Sequence, residues 1–419
     1  MKIVLLNYRF FVSGGPERYL FNVMDLLEAH GHQVIPFSFA YSNSRPTAYA
    51  DDFADPPGGP EAAWYKDLKQ DWRTNLRMFG KLIYNFDAKR RLKNLLKREK
   101  VDLVYALQMV NTLYPSVVDA CVEEGVPLVH RLSDFQYLCG NYKFYRDGKI
   151  CEDCQTGGYY HCVVHRCMKD SLAVSGLRVL TMYLNRWRGA HKKIAAFITP
   201  SRILRQKMLE GGFPDELLHH VPTFTPGVHD EETGPGDLFL YAGAIEPCKG
   251  VFELVEAYAA LAPHQQLPLV FAGYSLGDTE SRLREKVVQL GLGDRVEWLG
   301  FQSEKELSTL YQRARAVLVP TLWYENMPNV VLEAMAHGRA VIGTRLGGVA
   351  EMVEHEETGL LTEPGNVNEL CRSLARLADD PETASRFGRG GRLRCQETFG
   401  PEAHYARLSG IFDQVLNQC

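Results

Sequence analysis

Twice along its 419 residues the chain runs through the same alternation: a short apolar run of strand type, a turn, then apolar residues at helical spacing. The first series opens with Ile3-Val4-Leu5-Leu6 up to Asn7, turns through Ser13-Gly14-Gly15-Pro16-Glu17-Arg18, and continues with Tyr19, Leu20, Val23, Leu26 and Leu27. Apolar residues three and four apart share one helix face, whereas a short continuous apolar run reads as a strand buried on both sides. Further strands are expected at 33–37, 101–105 and 127–130, with helices up to about residue 100 and near 115–124, and a loop at 43–63 rich in Pro, Gly and Asp. Residues 222–237 hold Pro, Gly and acidic side chains and few apolar ones, the composition of a linker. Beyond it the alternation restarts, with strands expected at 238–242, 268–272, 296–299, 316–319 and 340–343 and a helix at 250–262. Strands alternating with helices require a parallel sheet covered on both faces. The fold class is therefore α/β, with two doubly wound, Rossmann-like domains. Such sheets bind ligands at the carboxyl ends of their strands, which puts the natural site in a cleft where the two domains face each other.

Hydrophobic residues make up 45% and charged residues 23%, enough apolar side chain for two packed interiors and too much for a disordered chain. No apolar run approaches the ~18 residues of a membrane span, and the opening run is too short for a signal-peptide core. A cytoplasmic protein is expected. With 47 Lys and Arg against 51 Asp and Glu, the net charge of -4 argues against a nucleic-acid partner. The charge is unevenly spread, however. Residues 1–225 carry 30 basic and 23 acidic side chains, a net +7, and the remainder carries 17 and 28, a net -11, so the halves are expected to meet different partners.

The most informative segment is 323–336. In it Glu325 precedes Asn326, Met327, Pro328 and Asn329, which look like a loop entering a helix with Pro328 in the first turn, and Glu333 follows one to two turns later. Free amides at a helix N-terminus favour a phosphate, and two separated carboxylates can each accept hydrogen bonds from sugar hydroxyls. On spacing alone, a solvated helix face bearing two Glu explains the pattern as well.

The surrounding motifs decide between these. Val319-Pro320 ends the preceding strand, and Gly343-Thr344-Arg345-Leu346-Gly347-Gly348-Val349-Ala350-Glu351 and Thr358-Gly359-Leu360-Leu361 follow; Gly14-Gly15 with Glu17-Arg18, and Gly243-Ala244-Ile245-Glu246-Pro247-Cys248-Lys249-Gly250, stand upstream. In this order they resemble the retaining glycosyltransferases of family 4, which have the GT-B fold, and within it a subgroup with an N-domain cysteine cluster. The resemblance spans almost the whole chain. It implies an acceptor-side domain at 1–225 with a cysteine-rich insertion at about 139–167, a nucleotide-sugar donor domain at 226–400, and a final segment, 401–419, crossing back to the first domain. It implies that Glu325 holds hydroxyls of the donor hexose, Glu333 the ribose hydroxyls and Lys249 the diphosphate, with Gly14, Gly15, Gly243, Gly273, Asn326, Met327, Pro328 and Asn329 also lining the donor site. The implied reaction moves a hexose from a nucleotide diphosphate sugar, UDP- or GDP-linked, to a glycan or lipid-linked acceptor without a catalytic metal. Glu325, Lys249 and Asp134 are the expected catalytic residues.

Two positions depart from the family pattern. Ala244 stands where an arginine is usual, leaving Arg345 or an N-domain basic residue to complete the cationic clamp. Ser133-Asp134 occupies the place of a His-Asp pair, with His130 three residues earlier, so His130 and Ser133 are candidates for the acceptor side and His130 is equally read as a structural strand-end histidine. These departures motivate an alternative function, a non-catalytic nucleotide-sugar-binding or scaffold partner in a glycan assembly complex.

Five of the ten cysteines, Cys139, Cys151, Cys154, Cys162 and Cys167, fall within 29 residues. In a cytoplasmic chain a C-x2-C knuckle with two further thiols reads as structural zinc. Cys139, Cys151, Cys154 and Cys167 are the expected ligands, with Cys162 or His165 in reserve; unligated thiols are the other reading. Residues 73–100 hold ten Lys or Arg against Asp87 and Glu99, interleaved with Leu76, Met78, Phe79, Leu82, Ile83 and Tyr84. This run is either a solvated helix face or an amphipathic surface for anionic lipid, which would place the protein at the inner face of the membrane.

Overall fold

The structure is a computed structural model that describes residues 1–62, 78, 80–109, 112–229, 234–275 and 277–418. The N-terminal domain runs β1 (Lys2–Asn7), α1 (Gly15–Ala29), β2 (Gln33–Phe37), α2 (Phe86–Glu99), β3 (Leu103–Gln108), α3 (Ser116–Glu124), β4 (Leu128–Arg131), the short strands β5 (Tyr145–Arg146) and β6 (Lys149–Ile150), α4 (Asp153–Thr156), α5 (His161–Val164), α6 (Leu172–Trp187), β7 (Ala196–Thr199), α7 (Arg202–Glu210) and β8 (Leu218–His220). Its sheet has the order β2-β1-β3-β4-β7-β8 and is parallel throughout, with Ile3 opposite both Val34 and Leu103. Side chains alternate across β1: Val4 and Leu6 enter one core, while Ile3 and Leu5 enter the other. That is why the strand is written as an unbroken apolar run.

The C-terminal domain runs β9 (Leu238–Ala242), α8 (Val251–Ala259), β10 (Leu269–Ala272), α9 (Thr279–Gln289), β11 (Val296–Gly300), α10 (Glu304–Arg313), β12 (Ala314–Val319), α11 (Asn329–Ala336), β13 (Ala340–Thr344), α12 (Gly347–Met352), β14 (Gly359–Thr362), α13 (Val367–Asp379) and α14 (Pro381–Thr398). Its six strands, in the order β11-β10-β9-β12-β13-β14, are again all parallel. In this sheet the chain builds outward from β9 through β10 to β11, then returns to the other side of β9 with β12. The switch point thus lies between β9 and β12, where parallel sheets open a crevice for ligands. The corresponding point in the first sheet lies between β1 and β3.

The last helix, α15 (Pro401–Gln418), lies on the N-terminal domain, where Leu408, Ile411, Phe412 and Val415 join the core that holds Ile3, Leu5 and Tyr105. The two crossings between domains touch: the Thr225 amide donates to the Phe399 carbonyl at 3.0 Å. Among the described residues no helix is long and apolar enough to cross a membrane.

The basic run also has a definite arrangement. Residues 73–77 and Phe79 lie outside the described residues. In the described part, Lys89 and Lys93 pair with Glu123, Arg90 and Arg91 with Asp87, Lys97 with Glu124 and Arg98 with Asp52. Helix α2 therefore presents an ion-paired face, the solvated-helix alternative, rather than a row of free cations.

Candidate active site

Between the domains lies a cavity of about 420 Å³, lined by the loops that follow β1, β9, β10 and β12. Each loop leaves the carboxyl end of its strand, and those after β1, β9 and β12 lie beside a switch point. After β1 the chain runs through Ser13, Gly14 and Gly15 into α1, with Pro16 in the first turn. After β12 it runs through Trp323, Tyr324 and Glu325 into α11, which begins at Asn329; Pro328 caps that helix, one residue earlier than its predicted place in the first turn. The first N–H groups of an α-helix have no partner within it, so two sets of donors begin at this cleft.

Glycines set how closely the walls approach. A Cβ on Gly273 would lie 1.8 Å from the Gly243 carbonyl oxygen, and Gly243 itself has φ 149°. No side chain fits between these two loops, and the cavity keeps a bare backbone floor. Across the cleft, the Asn329 side-chain amide donates to the Gly15 carbonyl at 3.1 Å.

The expected catalytic pair meets here. Lys249, in the turn before α8, donates to Oε1 of Glu325, which is 7% exposed, and the Trp323 indole N–H donates to the same oxygen at 2.9 Å. The Lys249 ammonium lies 5.4 Å from the Trp323 ring centroid. Glu325 is thus held by two donors through one oxygen, and its carbonyl accepts the Gly348 amide at 2.7 Å. Glu333, one turn into α11, accepts from Arg18 at 2.6 Å through Oε1 and from the Tyr311 hydroxyl at 2.6 Å through Oε2. The Asn326 carboxamide spans the domains, accepting from the Ser201 hydroxyl at 2.5 Å and donating to the Leu132 carbonyl at 3.3 Å. The Met327 sulfur accepts the Thr223 amide at 3.2 Å.

On the N-domain wall stand Ser133 and Asp134. The Asp134 carboxylate accepts the Gln136 amide at 2.9 Å, yet burial outweighs that bond and the nearby Arg178 charge and pushes its pKa up to about 6. His130 is placed elsewhere: it is fully buried in β4 outside the cavity, 3.0 Å from the Tyr137 hydroxyl, and burial lowers it to about 3. Its location is that of the strand-end structural histidine, and of the two acceptor-side candidates Ser133 lines the cavity while His130 does not.

The cation left open by Ala244 also has an answer. Arg345 points away, to Glu363 at 3.1 Å, and does not line the cavity. Arg18 and Arg131 do line it, the latter 6% exposed, with its guanidinium 3.9 Å from the Tyr19 ring centroid. Sequence reading missed both as site residues. Arg18 had a signal, since it directly follows the glycine turn, whereas Arg131 at the end of a strand had none.

Two facing, parallel doubly wound domains with this cleft define the class: the chain has the GT-B fold. Residues 230–394, most of the C-terminal domain, match the family model described as "Glycosyl transferases group 1". Over 231 residues the chain is 29% identical to D-inositol 3-phosphate glycosyltransferase of Corynebacterium glutamicum, covering 48% of this chain and 55% of that protein. Over 210 residues it is 33% identical to MMP alpha-(1->4)-mannosyltransferase of Mycolicibacterium hassiacum, covering 48% and 49%. The chain spans about half the length of the curated relatives it matches. The fold likeness extends over the whole chain. Sucrose-phosphate synthase from Thermosynechococcus elongatus superposes with a TM-score of 0.69 at 19% identity, covering 100% of both chains. Anabaena HepE in complex with UDP-glucose does so with 0.63 at 18%, covering 100% of this chain and 99% of that one.

Proposed function

We propose that the protein transfers a hexose from a nucleotide diphosphate sugar to a hydroxyl of a glycan or lipid-linked acceptor, with retention of the anomeric configuration. The observation that carries this reading is the Lys249–Glu325 pair, set against the bare Gly243–Gly273 floor and the start of α11. Lys249, with Arg18 and Arg131 supplying positive charge from the facing wall, would neutralise the diphosphate as it leaves, and Glu325 would hold the hexose hydroxyls. Glu333 suits the ribose, once its present partner Arg18 turns toward phosphate. In the displacement, the bond from the anomeric carbon to the diphosphate breaks with its electron pair on phosphate. The acceptor oxygen bonds to the same face, and its proton passes to the departing phosphate oxygen. The enzyme contributes alignment and charge. A UDP-sugar is the favoured donor, on the likeness to HepE, whose structure holds UDP-glucose.

A lipid-linked acceptor would be met on the N-terminal domain. Helix α6 exposes Leu180, Tyr183 and Trp187, the last 84% exposed, close in sequence to Arg188 and Lys192, an apolar and basic face suited to anionic lipid. One experiment addresses donor and acceptor together. UDP- and GDP-sugars are incubated with soluble glycans or with anionic vesicles carrying a lipid extract, and nucleotide release is scored beside the product anomer by NMR. Retained product is expected, with Glu325→Gln lowering turnover by about 10²- to 10³-fold. Donor binding without turnover under every condition would instead establish the scaffold function, and an inverted anomer would overturn the retaining reaction.

A further inference from the structure

The cysteine-rich insertion is used by none of the chemistry above, yet it touches the donor domain at two points. Lys143 donates to Glu246 at 2.7 Å, and the Tyr324 hydroxyl donates to Glu152 at 3.0 Å. Glu246 lies three residues before Lys249, and Tyr324 directly precedes Glu325. Whatever fixes the insertion therefore fixes the approach of the N-domain to the two residues that carry the proposed chemistry.

The insertion has little of its own to fix it. Its apolar cluster consists of Cys154, Tyr159, Cys162, Val179 and Met182, with a few half-buried neighbours. Six residues other than glycine in and just after it, Tyr142, Phe144, Asp147, Arg166, Lys169 and Asp170, have φ between 48° and 54°. Each such residue is strained and persists only where its surroundings over-determine it. A strained segment with so small a core needs a cross-link.

At its centre is a cavity of about 10 Å³, room for about one small atom, whose walls include Cys139, Cys151, Cys154 and Cys167 together with Asp153 and His161. The four come from separate pieces of chain: the turn after Phe135, the residue after β6, helix α4, and the turn after α5. Cys162, although fully buried and close to Cys167, is absent from that lining and stands against Gly140 instead. All the described cysteines are free thiols. Arg146 also lines the cavity, and buried Arg178 donates to the Gly140 carbonyl at 3.1 Å, so cationic groups stand where four thiolates would accumulate negative charge.

We propose that Cys139, Cys151, Cys154 and Cys167 bind one zinc ion as a closed tetrahedral site, and that this site is the anchor of a clasp through which Lys143 and Glu152 hold the donor domain. Four thiolates leave no open position, so the metal is structural. On binding, each thiol releases its proton and a sulfur–zinc bond forms without change of oxidation state. Asp153 and His161 line the same cavity and, with His165, bring their ligand atoms within 4.8 Å of one another, which makes them the competing ligand set. That set offers mixed oxygen and nitrogen ligands with His165 exposed, whereas Cys139 and Cys154 are buried.

The test uses full-length protein purified without a His tag. Elemental analysis should give about one equivalent of zinc, and cobalt exchanged into the site should show intense sulfur-to-metal charge transfer in the near ultraviolet. Cys151→Ser is expected to cut bound metal at least tenfold, while Cys162→Ser and His165→Ala keep it. Removing the metal should expose the insertion to trypsin and raise KM for the donor several-fold, a shift that Glu152→Gln reproduces in part with zinc still bound. Less than half an equivalent of zinc, a mass showing disulfides under non-reducing conditions, iron in place of zinc, or a cobalt spectrum lacking thiolate charge transfer would each overturn the proposal. The metal and protease readouts need no substrate, so they stand or fall apart from the proposed reaction.

Discussion

Asp134 is the clearest case of a residue whose chemistry comes from its place. The half-buried carboxyl lines the N-domain wall of the cleft, and burial lifts its pKa from 3.8 to about 6. A group with a raised folded pKa contributes stability that is present below its unfolded pKa and lost as pH rises through the folded one. Asp134 therefore weighs against the folded state increasingly between about pH 4 and pH 6. Replacing it by Asn should leave stability near that of the wild type at pH 4 and raise it above pH 6, measured by urea denaturation across that range. If Asp134 also aligns the acceptor, the same variant should lose activity at pH 7 and lack the acidic limb near pH 6 in its pH–rate profile. Motif order pointed to Lys249 and Glu325, and Asp134 was found by counting back from Cys139. Arg131 could not be found that way, because a strand-end arginine becomes a site residue only when the opposite domain arrives. The same holds for His130: its burial between sheet and helices, rather than its position in sequence, removes it from the cleft.

At the scale of elements, the long apolar runs and helical periods were legible, whereas β7 and β8 were not; in β8 the three residues Leu218-His219-His220 carry a single apolar side chain, too little pattern to register. Helix α15 shows how an element can be legible while its anchor is not. His404, 1% exposed, stacks on Phe224 with ring centroids 4.5 Å apart, donates from Nδ1 to the Pro222 carbonyl at 2.8 Å, and accepts from the Tyr19 hydroxyl at 3.0 Å. Burial lowers its pKa to about 3, so it stays neutral, and its contribution is present above pH 6.5 and fades as pH falls toward 3. His404→Ala should remove about 2–4 kcal/mol from equilibrium stability. Limited proteolysis should then cut first between α14 and α15, and unchanged cleavage there would show that the histidine does not anchor the helix.

For the whole molecule, the uneven charge takes on a meaning that counting alone did not supply. The positive N-terminal half and the negative C-terminal half meet across the cleft, Arg18 on Glu333 and Lys143 on Glu246, and Glu351 accepts the first two amides of α7 at 2.8 Å each. Such partly exposed pairs contribute up to about 1 kcal/mol each. The domains are held by several small terms, which suits a cleft that must open and close. Arg18→Ala combined with Lys143→Ala should enlarge the radius of gyration in low-salt X-ray scattering and raise KM for the donor several-fold. Wild-type protein at high salt should move the same way, because screening weakens these pairs.

The sequence by itself determined the two parallel sheets, the linker between them and the positions of the glycine turns and carboxylates, since these follow from local periodicity and from spacing along one chain. Only the tertiary structure decided that Arg18 and Arg131 line the cleft while Arg345 does not, that His130 is core and Asp134 is wall, that the described cations of α2 are ion-paired, and that four thiols share one cavity. Those outcomes depend on distances between residues far apart in the chain, and on the water that packing excludes between them.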